Sequence, residues 1–221
     1  MDRGWLFWLL LLIAAAGAAA APASKVETIG ACANPDVSDA VKNALQPQGY
    51  RVSTDTGILC DIWLAKVLLQ SAGSSGTDYS TLVTGSFAGV ISYPASSGDY
   101  RGKAIPPGTY TMRYQTMPSD GNHMGVSPTP DYFLLSPAGL DQDPALVIDY
   151  EPLMALSRKA SKINHPSPLF LTAPSSGGSL GFKDTGDGHW AIESKTRAKA
   201  RGGSAEIDFP VAVVLIGKGE T

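Results

Sequence analysis

Ile105-Pro-Pro-Gly-Thr-Tyr-Thr-Met-Arg-Tyr-Gln-Thr-Met-Pro-Ser-Asp-Gly-Asn-His-Met-Gly-Val-Ser-Pro128 joins the clearest strand signal in the chain to its most polar, glycine-rich loop. Pro106, Pro107 and Gly108 mark a turn, and from Thr109 the residues alternate. Tyr110, Met112 and Tyr114 fall on one side, and Thr109, Thr111 and Arg113 on the other. Successive side chains of a strand point to opposite faces, so this pattern predicts a half-buried β-strand. The residues that follow favour turns and positive φ, and they carry Asp120, Asn122, His123 and Met124. Loops at the end of a sheet are where binding residues concentrate, which makes these four the first ligand-binding candidates.

The flanking chain repeats the same grammar of short apolar runs between turns. Residues 50–54, a turn at Asp55-Thr-Gly57 and the apolar run 58–69 read as a hairpin whose second strand is central. Asp61 and Lys66 interrupt that run, so one face is not wholly buried. Short strands are expected at 80–83, 87–93, 132–136, 169–172, 179–183, 189–194 and 207–216. The last is almost wholly apolar around Val211, Val213 and Leu215, as in a strand buried on both faces. Residues 183–189 read as a hairpin tip, with Gly186 and Gly188 supplying positive φ. Lys195-Thr-Arg-Ala-Lys-Ala-Arg201 reads as a solvated, charged loop. Residues 136–149, with Asp141, Asp143 and Asp149, read as a solvated connection, because the residue order of a calcium loop is missing.

Two short helices complete the pattern. Asn34-Pro35 has the cap and first-turn residues of a helix over 35–45, with Val37, Val41 and Leu45 at spacing four. A second is predicted over 151–162, with Leu153, Leu156 and Ala160 on one side and Arg158, Lys159 and Lys162 near its C-terminal end, where cations suit the helix dipole. The fold class is therefore mainly β: an antiparallel β-sandwich of roughly seven to nine strands with two short helices, forming one domain over 24–221. A net charge of −3 and a pI near 5.5 give no basis for a nucleic-acid partner.

The N-terminus has the parts of a secretory signal: Arg3, an apolar run from Trp5 to Ala16, and small residues of A-x-A type up to Ser24. A signal peptide over 1–23 is the expectation, and the alternative is an uncleaved anchor, which would be the chain's only membrane contact. Export to a secreted or periplasmic location means an oxidising compartment. Cys32 and Cys60 are the only cysteines, so one disulfide between them is expected, contributing about 3 to 4 kcal/mol in the chain-entropy model.

Gly89-Val-Ile-Ser-Tyr93, Asp99-Tyr-Arg-Gly-Lys103, the Pro-Gly-Thr-Tyr strand start and Asp120-Gly-Asn-His-Met-Gly125 resemble an uncharacterised group of secreted bacterial proteins, over about residues 49–217. The Pro-Gly-Thr-Tyr strand start is also distantly similar to that of transthyretin-like and other Ig-like β-sandwich domains. These resemblances imply a sandwich fold and an exported protein. They bring no catalytic residues with them, since a fold does not specify an activity.

For chemistry the sequence offers three readings. The leading one is a non-catalytic protein with a binding or structural role at the cell envelope, its ligand unspecified and no cofactor required. The second is a zinc or copper site built from loops by His123, His165 and His189 with Asp120 or Asp187, since imidazole with carboxylate suits those ions. The third is an envelope hydrolase using Ser179, which sits in a G-x-S-x-G match (residues 177–181). A nucleophile elbow needs a strand before the serine and a helix after it, and this sequence supplies neither.

Overall fold

A computed structural model describes residues 24–117, 127, 129–161, 164–175, 177–186 and 188–217. The first half runs β1 (Lys25–Ile29), α1 (Asp39–Ala44), β2 (Gly49–Thr54), β3 (Gly57–Leu64), β4 (Val67–Gln70) and β5 (Phe87–Tyr93). A small ribbon, β6 (Ser97–Gly98) and β7 (Ala104–Ile105), precedes β8 (Gly108–Thr116) and β9 (Asp131–Pro137). Then come α2 (Tyr150–Ser161), β10 (Pro168–Phe170), β11 (Gly181–Gly186), β12 (His189–Ala200) and β13 (Glu206–Ile216).

β1, β2, β3, β5, β8, β9 and β10 form one antiparallel sheet in that order, and β11, β12 and β13 form the second, with β4 added parallel to β12. The mainly β, largely antiparallel architecture with two short helices is the one the turn spacing predicts. Alternation fixes what each face does. Tyr50, Ile62 and Leu64 of the first sheet line the same narrow internal gap as Ile192, Val211 and Val213 of the second, so these rows are the core between the layers. Tyr110, Met112 and Tyr114 are buried, in register with the Ile62–Ile91 row and its neighbours. The edge strand β13 is closed by main chain and one side chain: Leu171 bridges to Val213, Thr172 N donates to Ala212 O, and Ala212 N donates to the Tyr79 hydroxyl. Among the described residues no helix is long and apolar enough to cross a membrane.

The opposite face of the large sheet departs from the sequence reading. Thr111 and Arg113 are fully buried, so β8 is covered on both faces. Their cover is the acidic segment 137–149, which is a clamp and not a solvated connection. Asp141 accepts from Thr111 Oγ1 at 2.6 Å and takes a bidentate pair of bonds from Arg113, both at 2.7 Å. A buried guanidinium demands a partner for each donor, and only a segment rich in carboxylate and carbonyl oxygens supplies them.

The disulfide expectation is corrected: Cys32 and Cys60 are both buried and both free. Each is held by its own surroundings: Cys60 is fixed in mid-strand β3, paired with Val52 and near Tyr93, whereas Cys32 lies in the loop between β1 and α1 beside Asn34, and the two thiols stay unbonded. Burial pushes the pKa of each upward.

Smaller differences share a cause in local hydrogen bonding. Asn34 does not cap α1; its side chain accepts from Asp36 N and donates to Thr109 Oγ1, and Ser38 is the cap, accepting from Val41 N. The 58–69 run is two strands in two sheets. It breaks at Ala65-Lys66, where the end of α1 takes Lys66 N at Ala44 O and Lys66 Nζ at Asn43 O. Residues 79–81 form a 3-10 turn in place of a strand. The basic run is strand, too: Lys195 and Arg197 are exposed while Thr196 and Ala198 are buried, the period-two pattern of a half-buried β12.

Candidate functional site

Tyr150, Met154 and Arg158 recur every fourth residue, which stacks them along one stripe of α2. Leu153 and Met154 are buried against Tyr132 and Leu134 of β9 and Phe170 of β10, forming an apolar cluster separate from the main core. Ser157 Oγ holds the helix to the chain that follows by accepting from Ser167 N at 2.9 Å. Along this cluster opens a cleft of ≈ 220 Å³. Its floor is Tyr132, Leu134 and Phe170; Tyr150, Met154 and Arg158 form the helical wall; His165, Pro166 and Pro168 lie at one lip and Met117 at another.

The remaining wall is the turn between β6 and β7, and Asp99 organises it. Asp99 Oδ1 accepts from Arg101 N at 2.9 Å and Lys103 N at 2.8 Å, and Gly102 takes φ 72° to close the turn. Burial raises the Asp99 pKa, and those two backbone N–H groups partly offset it. The turn thereby presents Arg101 and Lys103 to the cleft. Neither Lys103 nor Arg158 forms a salt bridge with any described acidic side chain. Tyr100 packs edge-on to Phe170 at 5.5 Å, and the ring of His189 stacks flat on it, at 4.0 Å and 5°.

Of the sequence candidates, Asp120, Asn122, His123, Met124 and Asp187 lie outside the described residues. His165 lines the cleft, and His189 reaches its wall only through Tyr100. Each imidazole bonds a backbone carbonyl through Nδ1, His165 to Pro166 O and His189 to Gly186 O, which places a proton on Nδ1 of each ring. Among the described residues no three His, Cys, Asp or Glu side chains gather as metal ligands. Ser179 is exposed in the irregular segment that leads into β11, and a strand, not a helix, follows it.

A second polar cluster lies elsewhere, on the small sheet. The buried Glu193 carboxylate accepts from Ser175 N and Oγ and from Lys183 Nζ, and Lys183 Nζ also reaches Ser175 Oγ at 2.6 Å. Burial would raise the Glu193 pKa; the bonds from Lys183 and Ser175 outweigh it and hold the group below the usual glutamate range. A lysine that activates a serine must be neutral and unpaired. Lys183 is committed to Glu193, so the cluster satisfies a buried carboxylate and does not prepare a nucleophile.

The cleft residues come from five separated parts of the chain. The one local signal for them is the 150, 154, 158 spacing of a ring, a thioether and a guanidinium, on a different stripe from Leu153, Leu156 and Ala160. No family model, curated protein or solved structure matches this chain.

Proposed function

We propose that this chain is an exported, non-catalytic β-sandwich protein that binds a small molecule in the cleft between α2, β9, β10 and the 99–103 turn. The observation that carries the reading is the cleft's composition: a concave, chiefly apolar and aromatic floor edged by a few polar groups, the usual make-up of a ligand site. Much of its floor is rigid, because Tyr132, Leu134 and Phe170 belong to paired strands, so little ordering opposes binding. The signal-like N-terminal segment supports export to the periplasm or beyond.

The binding half of the proposal is tested by NMR on protein labelled at the methionine methyls, with a screen of small organic fragments. Met154 and Met117 line the cleft, while Met112 is fully buried in the core and serves as an internal control. Saturable shifts of Met154 and Met117 with a still Met112 are expected. If no fragment moves the first two more than the third, the cleft is not a binding site. For export, the full chain expressed in a bacterial host should be recovered from the periplasm with a new N-terminus near Ala23. An uncut chain held in the cytoplasm would refute that part.

A further inference from the structure

We propose that the cleft selects a compact, ring-bearing organic anion, its carboxylate, sulfonate or phosphate group held by Lys103 and Arg158 and its ring packed on Tyr132, Phe170 and Met154. This assignment rests on the reading of the cleft as a ligand site and adds the ligand's chemical class.

Charge decides the sign of the ligand. Among the described lining residues, Arg101, Lys103 and Arg158 surround the opening, against a single carboxylate, Asp99. Asp99 is buried and already receives two backbone N–H groups, so its negative charge is largely engaged within its own turn. The side chains of Lys103 and Arg158 form no salt bridge with a described acidic group, and Arg158 leaves the helix on the stripe that faces the cleft. An anion entering there gains charge-assisted hydrogen bonds without displacing an internal partner. A cation would meet the like charge of all three.

Shape and surface decide the body. The three rings of Tyr132, Tyr150 and Phe170, with the thioethers of Met154 and Met117, make a wall suited to the faces and edges of a planar ring. At ≈ 220 Å³ the space is small for a ligand site, so a long acyl chain would project into solvent where a single or fused ring is enclosed.

Two fluorescent probes test this directly, because they share one ring framework and differ in charge: 1-anilinonaphthalene-8-sulfonate and the neutral N-phenyl-1-naphthylamine. Titrated into the purified protein, both should bind at one saturable site, the sulfonate more tightly. Arg158→Glu and Lys103→Glu, both at exposed positions, should each weaken the sulfonate by at least about tenfold, the factor that 1.4 kcal/mol represents. Binding of the neutral probe should stay within about twofold, well inside that factor. Sulfonate affinity unchanged in both variants would overturn the anion assignment while leaving the cleft as a ligand site. Failure of both probes to bind stoichiometrically would instead remove the cleft reading itself. Competition between 1-naphthoate and decanoate decides the body: naphthoate should displace the probe at the lower concentration, and the reverse order would overturn the ring assignment.

Discussion

Replacing Arg113 by Met should remove a large part of the stability of this protein, and the structure states how. The guanidinium is fully buried and all five of its N–H donors are used. Nε and one Nη2 hydrogen go to Asp141 at 2.7 Å each, the other Nη2 hydrogen to Asp143 O at 2.8 Å, and Nη1 to Gly85 O and Leu146 O. Methionine fills much of the same volume but leaves the Asp141 carboxylate with Thr111 as its one remaining side-chain donor, and takes a donor from three carbonyls, of which Gly85 O keeps Ile148 N and Asp143 O keeps Leu146 N. Breaking a buried ion pair by removing one partner costs about 3 to 5 kcal/mol. With a urea slope of about 2 kcal/mol per molar, the midpoint should fall by roughly 1.5 to 2.5 M. The double variant Arg113→Met with Asp141→Leu has no uncompensated charge, so its loss should be smaller than the sum of the two single losses. Amide hydrogen exchange should locate the effect, with Ile148 N, which donates to Gly85 O, losing protection first. A loss below about 1 kcal/mol in Arg113→Met, the size of an exposed pair, would refute the clamp.

Other outcomes follow from the same geometry. Without reductant, the denatured protein should titrate two free thiols and its intact mass should not change on reduction; a single species with no free thiol would overturn the assignment of Cys32 and Cys60 as unbonded. Because the folded-state pKa of Glu193 is depressed, its stabilisation is complete above the ordinary glutamate value of about 4.3 and is lost as pH falls through the lower folded value. The stability gap between the wild type and Glu193→Gln should therefore narrow between about pH 5 and pH 3, and urea curves with a constant gap would contradict the assignment. Gly89 has φ 153°, and a Cβ there would lie 2.3 Å from Trp63 O, so Gly89→Ala should cost at least about 2 kcal/mol in a thermal or urea melt. A neutral result would mean the β5 bulge relaxes freely.

The sequence by itself determined the class of fold and most of its parts. Alternation from Thr109 to Tyr114, the turns around Gly57 and Gly186, and the apolar stretch at Val211–Leu215 each report a local property, the two-residue period of a strand or the backbone freedom of a turn, and these survive folding unchanged. The segment 195–200, which its charge run marks as a loop, carries the strand signal as well: long polar residues alternate there with small ones. Tertiary structure alone decided the matters that depend on which face meets which. Thr111 and Arg113 look like a solvent face until Asp141, well apart in sequence, folds over them; Cys32 and Cys60 look like partners, yet the loop before α1 and strand β3 leave both thiols buried and unbonded. The candidate site is the extreme case. Asp99, Tyr132, Met154 and Phe170 share no spacing along the chain, and they meet because α2 lies across β9 and β10 beside the 99–103 turn. A cleft is a property of surfaces brought together by long-range packing, and a local pattern carries no term for the distance between elements.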